Sequence, residues 1–104
     1  MANLSFIYIT AASKEEAKKI AGHLLKKKLI GCANIYENVT SLYPWKGKVA
    51  EEKECVLIAK TVASNYEKVK KEVEKIHSYT TPCIIKIDVD ANKKYADWLK
   101  KEMK

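Results

Sequence analysis

Cys32-Ala33-Asn34-Ile35-Tyr36-Glu37-Asn38-Val39-Thr40-Ser41-Leu42-Tyr43-Pro44-Trp45 runs into Lys46-Gly47 and returns from Lys48-Val49 to Lys60-Thr61. With its lead-in from Leu29, this stretch reads as one very long β-hairpin turning at Trp45-Lys46-Gly47-Lys48. Each arm is about thirteen residues, which at roughly 3.3 Å per residue spans about 40 Å. A globule of this length has a radius of gyration of about 13 Å. The hairpin therefore overhangs its own domain and exposes backbone donors and acceptors along its edge, which predicts self-assembly.

The first arm does not alternate cleanly. Glu37-Asn38 interrupts the rhythm of Ala33, Ile35, Val39, Leu42 and Tyr43, which predicts a bulge or bend there. Pro44 cannot donate to a ladder and places that part of the arm near an edge or the turn. In the return arm Glu52, Glu54, Val56, Ile58 and Lys60 share one face, while Cys55, Leu57, Ala59 and Thr61 share the other.

The flanking segments supply the rest of a fold. Ser5 to Thr10 is rich in β-branched and aromatic residues and reads as a buried, central first strand. Ser13-Lys14-Glu15-Glu16 has capping-box spacing, and Ala17, Ile20, Ala21, Leu24 and Leu25 follow at helical intervals, with Gly31 as the expected stop. Ser64-Asn65-Tyr66-Glu67 repeats that spacing before Tyr66, Val69, Val73 and Ile76, giving a second helix that ends near His77. Pro82 precedes a strand over Cys83 to Val89, and Asn92 is placed to cap a short last helix carrying Tyr95, Trp98, Leu99 and Met103. The order β-α-β-β-α-β with right-handed crossovers defines an α+β, ferredoxin-like sandwich with a long β2-β3 hairpin and an extra C-terminal helix, in one domain spanning 1–104.

Composition narrows the function. The net charge of +7 comes entirely from lysine, because the 104 residues contain no arginine. Arginine is the preferred residue for bidentate phosphate and base contacts, so its absence weakens a nucleic-acid role. Cys32, Cys55 and Cys83 are odd in number, lie far apart and have no zinc-type spacing, so they read as reduced thiols. Met1 to Asn3 lacks a basic leader and no apolar run is long enough to span a membrane, which predicts a cytoplasmic protein without membrane contact.

Several local patterns together resemble the CutA divalent-cation tolerance family. They are Leu29-Ile30-Gly31-Cys32-Ala33-Asn34, Ser41-Leu42-Tyr43-Pro44-Trp45-Lys46-Gly47-Lys48, Glu54 with Lys60-Thr61, His77-Ser78-Tyr79-Thr80-Thr81-Pro82 and Tyr95-Ala96-Asp97-Trp98-Leu99. The resemblance implies a cytoplasmic homotrimer in which one subunit's hairpin extends the next subunit's sheet, tolerance of divalent or heavy metals, copper binding and no enzymatic reaction. Where some members carry a cysteine and a pair of histidines as a metal site, the matching positions here are Ile9, Ile76 and His77, leaving His77 as the candidate ligand.

The remaining candidates follow from residue chemistry. Tyr43, Trp45, Glu54, Lys60 and Tyr79 are read as lining a cleft between subunits, where aromatics and a lysine suit a small anionic ligand or simple packing. Cys32 is the thiol candidate for copper, beside other divalent metals as cofactors. Asp88 and Asp90 point to one side but are too few for a hard-cation cage, and His23 beside the apolar stripe of the first helix reads as structural. Two other functions are weighed. An RNA-binding module would need aromatic stacking positions, and Val49 to Thr61 has none. An acyl-phosphate hydrolase would need an arginine clamp, and no arginine exists.

Overall fold

A computed structural model describes residues 2–104 and contains the expected hairpin, with β2 over Cys32–Trp45 and β3 over Lys48–Thr61. β1 spans Leu4–Ala11, α1 Lys14–Lys26, α2 Tyr66–Ile76, β4 Ile84–Val89 and α3 Lys93–Glu102. The strands form one antiparallel sheet in the order β2-β3-β1-β4. This is the ferredoxin-like arrangement, and β1 is central as its apolar run requires. The molecule measures 46 × 26 × 22 Å, the long axis reflecting a hairpin that outruns the rest of the sheet.

The core lies between the sheet and the α1–α2 layer. Ile7 and Ile9 of β1 and Leu57 of β3 meet Ile20 and Leu24 of α1 and Val69 and Val73 of α2, all fully buried. Each such aliphatic side chain is worth about 1.5–3 kcal/mol when removed from water. On the opposite face α3 covers only one end of the sheet, where Leu4, Ala96 and Leu99 form a second cluster with Cys32, Val89 and Tyr95 around it.

Several local expectations are corrected. α1 does not stop at Gly31; the chain reverses at Lys28, whose φ of 59° places it in the left-handed region. Gly31 is small for another reason: a Cβ there would meet Leu99 Cγ and Cδ1 at 2.7 Å and the Leu99 carbonyl oxygen at 3.1 Å. The second capping box does not form. Ala63–Asn65 is a 3-10 turn, and the Asn65 amide donates instead to the Leu29 carbonyl and to Thr61 Oγ1, both at 3.1 Å. These bonds tie the start of α2 to the β2 lead-in and the end of β3. Asn92 occupies the first cap position of α3 without a side-chain bond, and β4 begins at Ile84, one residue later than expected. The first capping box is real in part: Ser13 Oγ accepts from the Glu16 N–H at 3.1 Å, but Glu16 reaches back to the Ala12 N–H at 2.9 Å, one residue earlier than the motif prescribes.

Two expected outcomes follow. Gly31→Ala must move α3 away from β2, at a cost of about 1–3 kcal/mol typical of overpacking, measured by denaturant unfolding. Glu72 clasps α1 to α2 through His23 at 2.8 Å and Lys27 at 3.2 Å, with Lys75 of its own helix at 3.0 Å. Those hydrogen bonds, His23 first, then Lys75 and Lys27, hold its carboxyl at about 2 against an ordinary 4.5. A depressed carboxyl contributes stability above its unfolded value and loses it as pH falls through the folded one. Glu72→Gln is therefore less stable than the parent at neutral pH, and the two unfolding midpoints converge between pH 4.5 and about 2.

Candidate functional site

The expected bulge decides which residues can meet. Tyr36 pairs with Val56 and Val39 with Glu54, so Glu37 and Asn38 together oppose Cys55. Asn38 takes φ 59°, a left-handed conformation that asparagine tolerates better than most residues. The extra residue reverses the pleat. Cys32, Asn34 and Tyr36 before the bulge share a face with Ser41, Tyr43 and Trp45 after it, because their β3 partners Lys60, Ile58, Val56, Glu52, Ala50 and Lys48 all lie at even positions. At the tip Lys46 and Gly47 have φ 51° and 79°, the left-handed pair of a two-residue type I′ turn.

That face is the one the α1–α2 layer leaves open, and beyond α3 it forms a cleft of about 950 Å³. Tyr8 and Thr10 of β1, Tyr43 and Trp45 of β2, Glu52 and Glu54 of β3 and the segment 78–83 line it. Tyr43 Oη donates to Glu52 Oε1 and Tyr79 Oη to Glu54 Oε2, each at 2.6 Å. The Glu52 bond pushes the Tyr43 hydroxyl above its ordinary pKa, and burial, followed by the Glu54 bond, pushes Tyr79 far up. Burial first and Glu54 second raise the Cys83 thiol as well. Both phenols thus stay protonated and spend their hydrogens on carboxylates.

His77, at the end of α2, fixes the wall of this cleft. Its side chain is 0 % exposed. Nε2 lies 2.7 Å from the Thr10 carbonyl oxygen, and Nδ1 accepts from the Tyr79 N–H at 3.0 Å. The second bond requires an unprotonated Nδ1, so the proton of the neutral ring sits on Nε2 and is donated to Thr10. Its ring also packs on that of Tyr79, with centroids 4.7 Å apart. Glu16 completes the clamp by accepting from the Ser78 N–H at 2.7 Å. Partial burial works against the Glu16 charge, but the Ala12 and Ser78 donors outweigh it and hold its carboxyl below the ordinary value.

This geometry does not fit His77 as a metal ligand. Both ring nitrogens are committed inside the chain, and Ile9 and Ile76 offer no donors. Among the described residues no three or more His, Cys, Asp or Glu side chains are grouped to hold an ion. Asp88 accepts from Ser5 Oγ at 2.6 Å and pairs with Lys86, and so serves the sheet. His23 is structural, bound to Glu72.

Of the residues expected to line a cleft between subunits, a single chain places Tyr43, Trp45, Glu54 and Tyr79 together and Lys60 apart from them. Lys60 sits six residues along β3, about 20 Å away. It pairs in register with Cys32 and Phe6, and its ammonium lies 5.5 Å from the Tyr95 ring centroid and 5.8 Å from that of Phe6. Cys32, the thiol candidate, belongs to that end as well; burial first, then the Cys32 hydrogen bond, raises the Tyr95 hydroxyl. Glu52 and Tyr8 were missed, although the even-position face of β3 already grouped Glu52 with Glu54.

A ferredoxin-like sheet with an overlong hairpin and an acidic, aromatic cleft behind a clamped histidine defines a recognisable class. Residues 5–102 match the family described as CutA1 divalent ion tolerance protein. The chain is 45 % identical over 96 residues to the divalent-cation tolerance protein CutA of Archaeoglobus fulgidus, covering 91 % of this chain and 93 % of that one. It is 41 % identical over 99 residues to the protein of the same name from Pyrococcus horikoshii, covering 94 % and 96 %. Among solved structures, CutA1 of Ehrlichia chaffeensis superposes with a TM-score of 0.95 at 38 % identity, over 100 % of this chain and 98 % of that chain. The protein described as periplasmic divalent cation tolerance protein CutA from A. fulgidus gives 0.92 at 42 % identity, over 97 % and 99 %. The chain belongs to the CutA divalent-cation tolerance family.

His77→Ala removes one partner from the part-buried Thr10 carbonyl and one from the part-buried Tyr79 amide, which costs at most about 1–3 kcal/mol for each group left unsatisfied. Denaturant unfolding measures that loss, and copper titration of the same variant shows a stoichiometry unchanged from the parent.

Proposed function

We propose that this protein acts in divalent-cation tolerance as a cytoplasmic homotrimer that binds rather than transforms its ligand. The observation that carries the reading is the open sheet face. Tyr36, Ile85 and Ile87 stand half-exposed on it, and Leu42 and Val49 are exposed on the projecting hairpin. β2 and β4 are both edge strands with one side unpaired. A projecting arm that pairs with a neighbour's sheet makes a heterologous contact, and such contacts close into rings when the rotation permits. The number three is what the family resemblance implies.

Three free cysteines, one of them buried, suit a reducing compartment and support the cytoplasmic placement. Copper is the finest part of the reading, and the donors of one chain do not support it; an ion held by the assembly would have to draw on more than one copy. The cleft offers hydroxyls and two tyrosine-bound carboxylates, and its Cys83 thiol is pushed toward the protonated form by burial and by Glu54, which supports a binding role.

Size-exclusion chromatography with light scattering tests the assembly. The expected mass is that of three chains, and a stable monomer at micromolar concentration overturns the proposal. Ile85→Glu and Tyr36→Glu, each placing a charge on the open face, are expected to shift the population to monomer while leaving the far-ultraviolet circular dichroism unchanged.

A further inference from the structure

The α1–α2 layer lies on the side of the sheet opposite the open face, so the contacts of the assembly reading leave its outer surface free. A groove of about 380 Å³ runs there between the end of α1 and α2, lined by Lys27, Lys68, Lys71, Glu72 and Lys75 with Leu29 as its one apolar residue. None of these residues belongs to a strand. Lys68, Lys71 and Lys75 stand at helical spacing on one face of α2, a row about 10 Å long. Lys27 joins them from the end of α1, bound to Glu72 at 3.2 Å. Glu72 is the only acid in the lining, and it lies low: its side chain is 14 % exposed, against 51 % for Lys27 and 69 % for Lys75. Its Oε1 takes His23 and Lys27 and its Oε2 takes Lys75, so the carboxylate holds two ammonium groups from below while they meet solvent. Lys68 and Lys71, both exposed, form no ion pair among the described residues. Unpaired lysines occur elsewhere on the chain; what matters here is convergence, four ammonium groups from two segments on one concave site against a single carboxylate. Like charges three and four residues apart repel, so the row costs the free helix stability that a bound anion returns.

We propose that this groove binds a multiply charged oxyanion, a condensed phosphate laid along the Lys68, Lys71 and Lys75 row with Lys27 at its flank. Lysine presents a compact charge with three donors, so it grips phosphate oxygens without fixing a plane. With no arginine in the chain, selection rests on how many anionic charges reach ammonium groups at once. A single phosphate meets only part of a row about 10 Å long, whereas a chain of phosphates follows it. No aromatic ring lines the groove, so a base finds no stacking platform and a nucleotide is held by its phosphates alone. The groove is open to water, so salt screens the attraction. Its volume falls within the usual range of about 300–1,000 Å³ for small-molecule sites.

Isothermal titration calorimetry of the full chain with sodium tripolyphosphate at low ionic strength tests this, with orthophosphate and adenosine triphosphate as comparison ligands and no divalent metal present. The expected result is saturable binding of one tripolyphosphate per chain, weakened by added sodium chloride, about tenfold weaker for orthophosphate and no tighter for adenosine triphosphate. Lys68→Gln/Lys71→Gln removes two exposed ammonium groups without breaking an ion pair and is expected to weaken binding about tenfold. Lys68→Arg/Lys71→Arg is expected to retain it, and Lys100→Gln/Lys101→Gln, the same loss of charge on α3, to leave it unchanged. Absence of saturable binding, equal affinity for orthophosphate, tighter binding of adenosine triphosphate, or an equal loss in the α3 variant overturns the proposal. Far-ultraviolet circular dichroism checks each variant, and if the glutamine pair does not fold, the ligand comparison on the parent decides alone. Light scattering on the same samples reads assembly separately: a monomer that still binds tripolyphosphate supports this site and overturns the trimer.

Discussion

A two-for-one step in the backbone governs everything on the open face. Strand side chains alternate with period two, so one inserted residue exchanges the faces of all that follow. Without Glu37-Asn38 opposing Cys55, Tyr43 and Trp45 would point to the opposite side from Tyr36, away from Glu52 and Glu54. The cleft would lose two of its rings while the ladder stayed intact. Asn38 makes the step cheap, because its φ of 59° would cost an ordinary L-residue about 1–2 kcal/mol.

The opposite wall is held by a different device. The segment after α2 has no regular structure, so its backbone groups need partners from elsewhere. His77 and Glu16 supply them, joining Thr10, Tyr79, Ala12 and Ser78 through side-chain bonds of 2.7 to 3.0 Å. Tyr79 then aims its hydroxyl at Glu54. A histidine fully engaged in this way positions the cleft from behind, so its chemistry is spent on geometry.

The hairpin, the central β1, the two long helices and the bulge were all legible in the sequence, because each rests on a period that local chemistry enforces. Gly31 was misread because its smallness answers to Leu99, which lies far along the chain and appears beside it only once α3 docks. The capping box expected from Ser64 and Glu67 failed for a related reason: Asn65, tied by its amide to Leu29 and Thr61, precedes a helix that begins only at Tyr66. Tyr43, Trp45, Glu54 and Tyr79 share one end of the open face within a single chain, and Lys60 lies on the same face farther along β3. Face is set by parity and can be read; position along a long strand decides who meets whom, and six residues carried Lys60 to Phe6 and Tyr95 instead. β3 carries no aromatic residue, while Phe6, Tyr8 and Tyr36 lie on the same face from β1 and β2.

Within one chain Lys60 stands well apart from Glu52 and Glu54 on the same face. That ammonium is held against two rings about 20 Å away, so it is no counter-charge to Glu52 and Glu54 of its own chain. Two acids one pleat apart would repel each other, and the structure offsets this by giving each a phenol O–H at 2.6 Å instead of a lysine. A neutral donor steadies a carboxylate without cancelling its field. α3 sharpens the separation, covering the Lys60 end of the open face and leaving the other end free. The same sheet face thus carries a cationic end covered by α3 and an acidic, aromatic end beyond it, so a neighbouring chain that packs on this face meets two surfaces of opposite character.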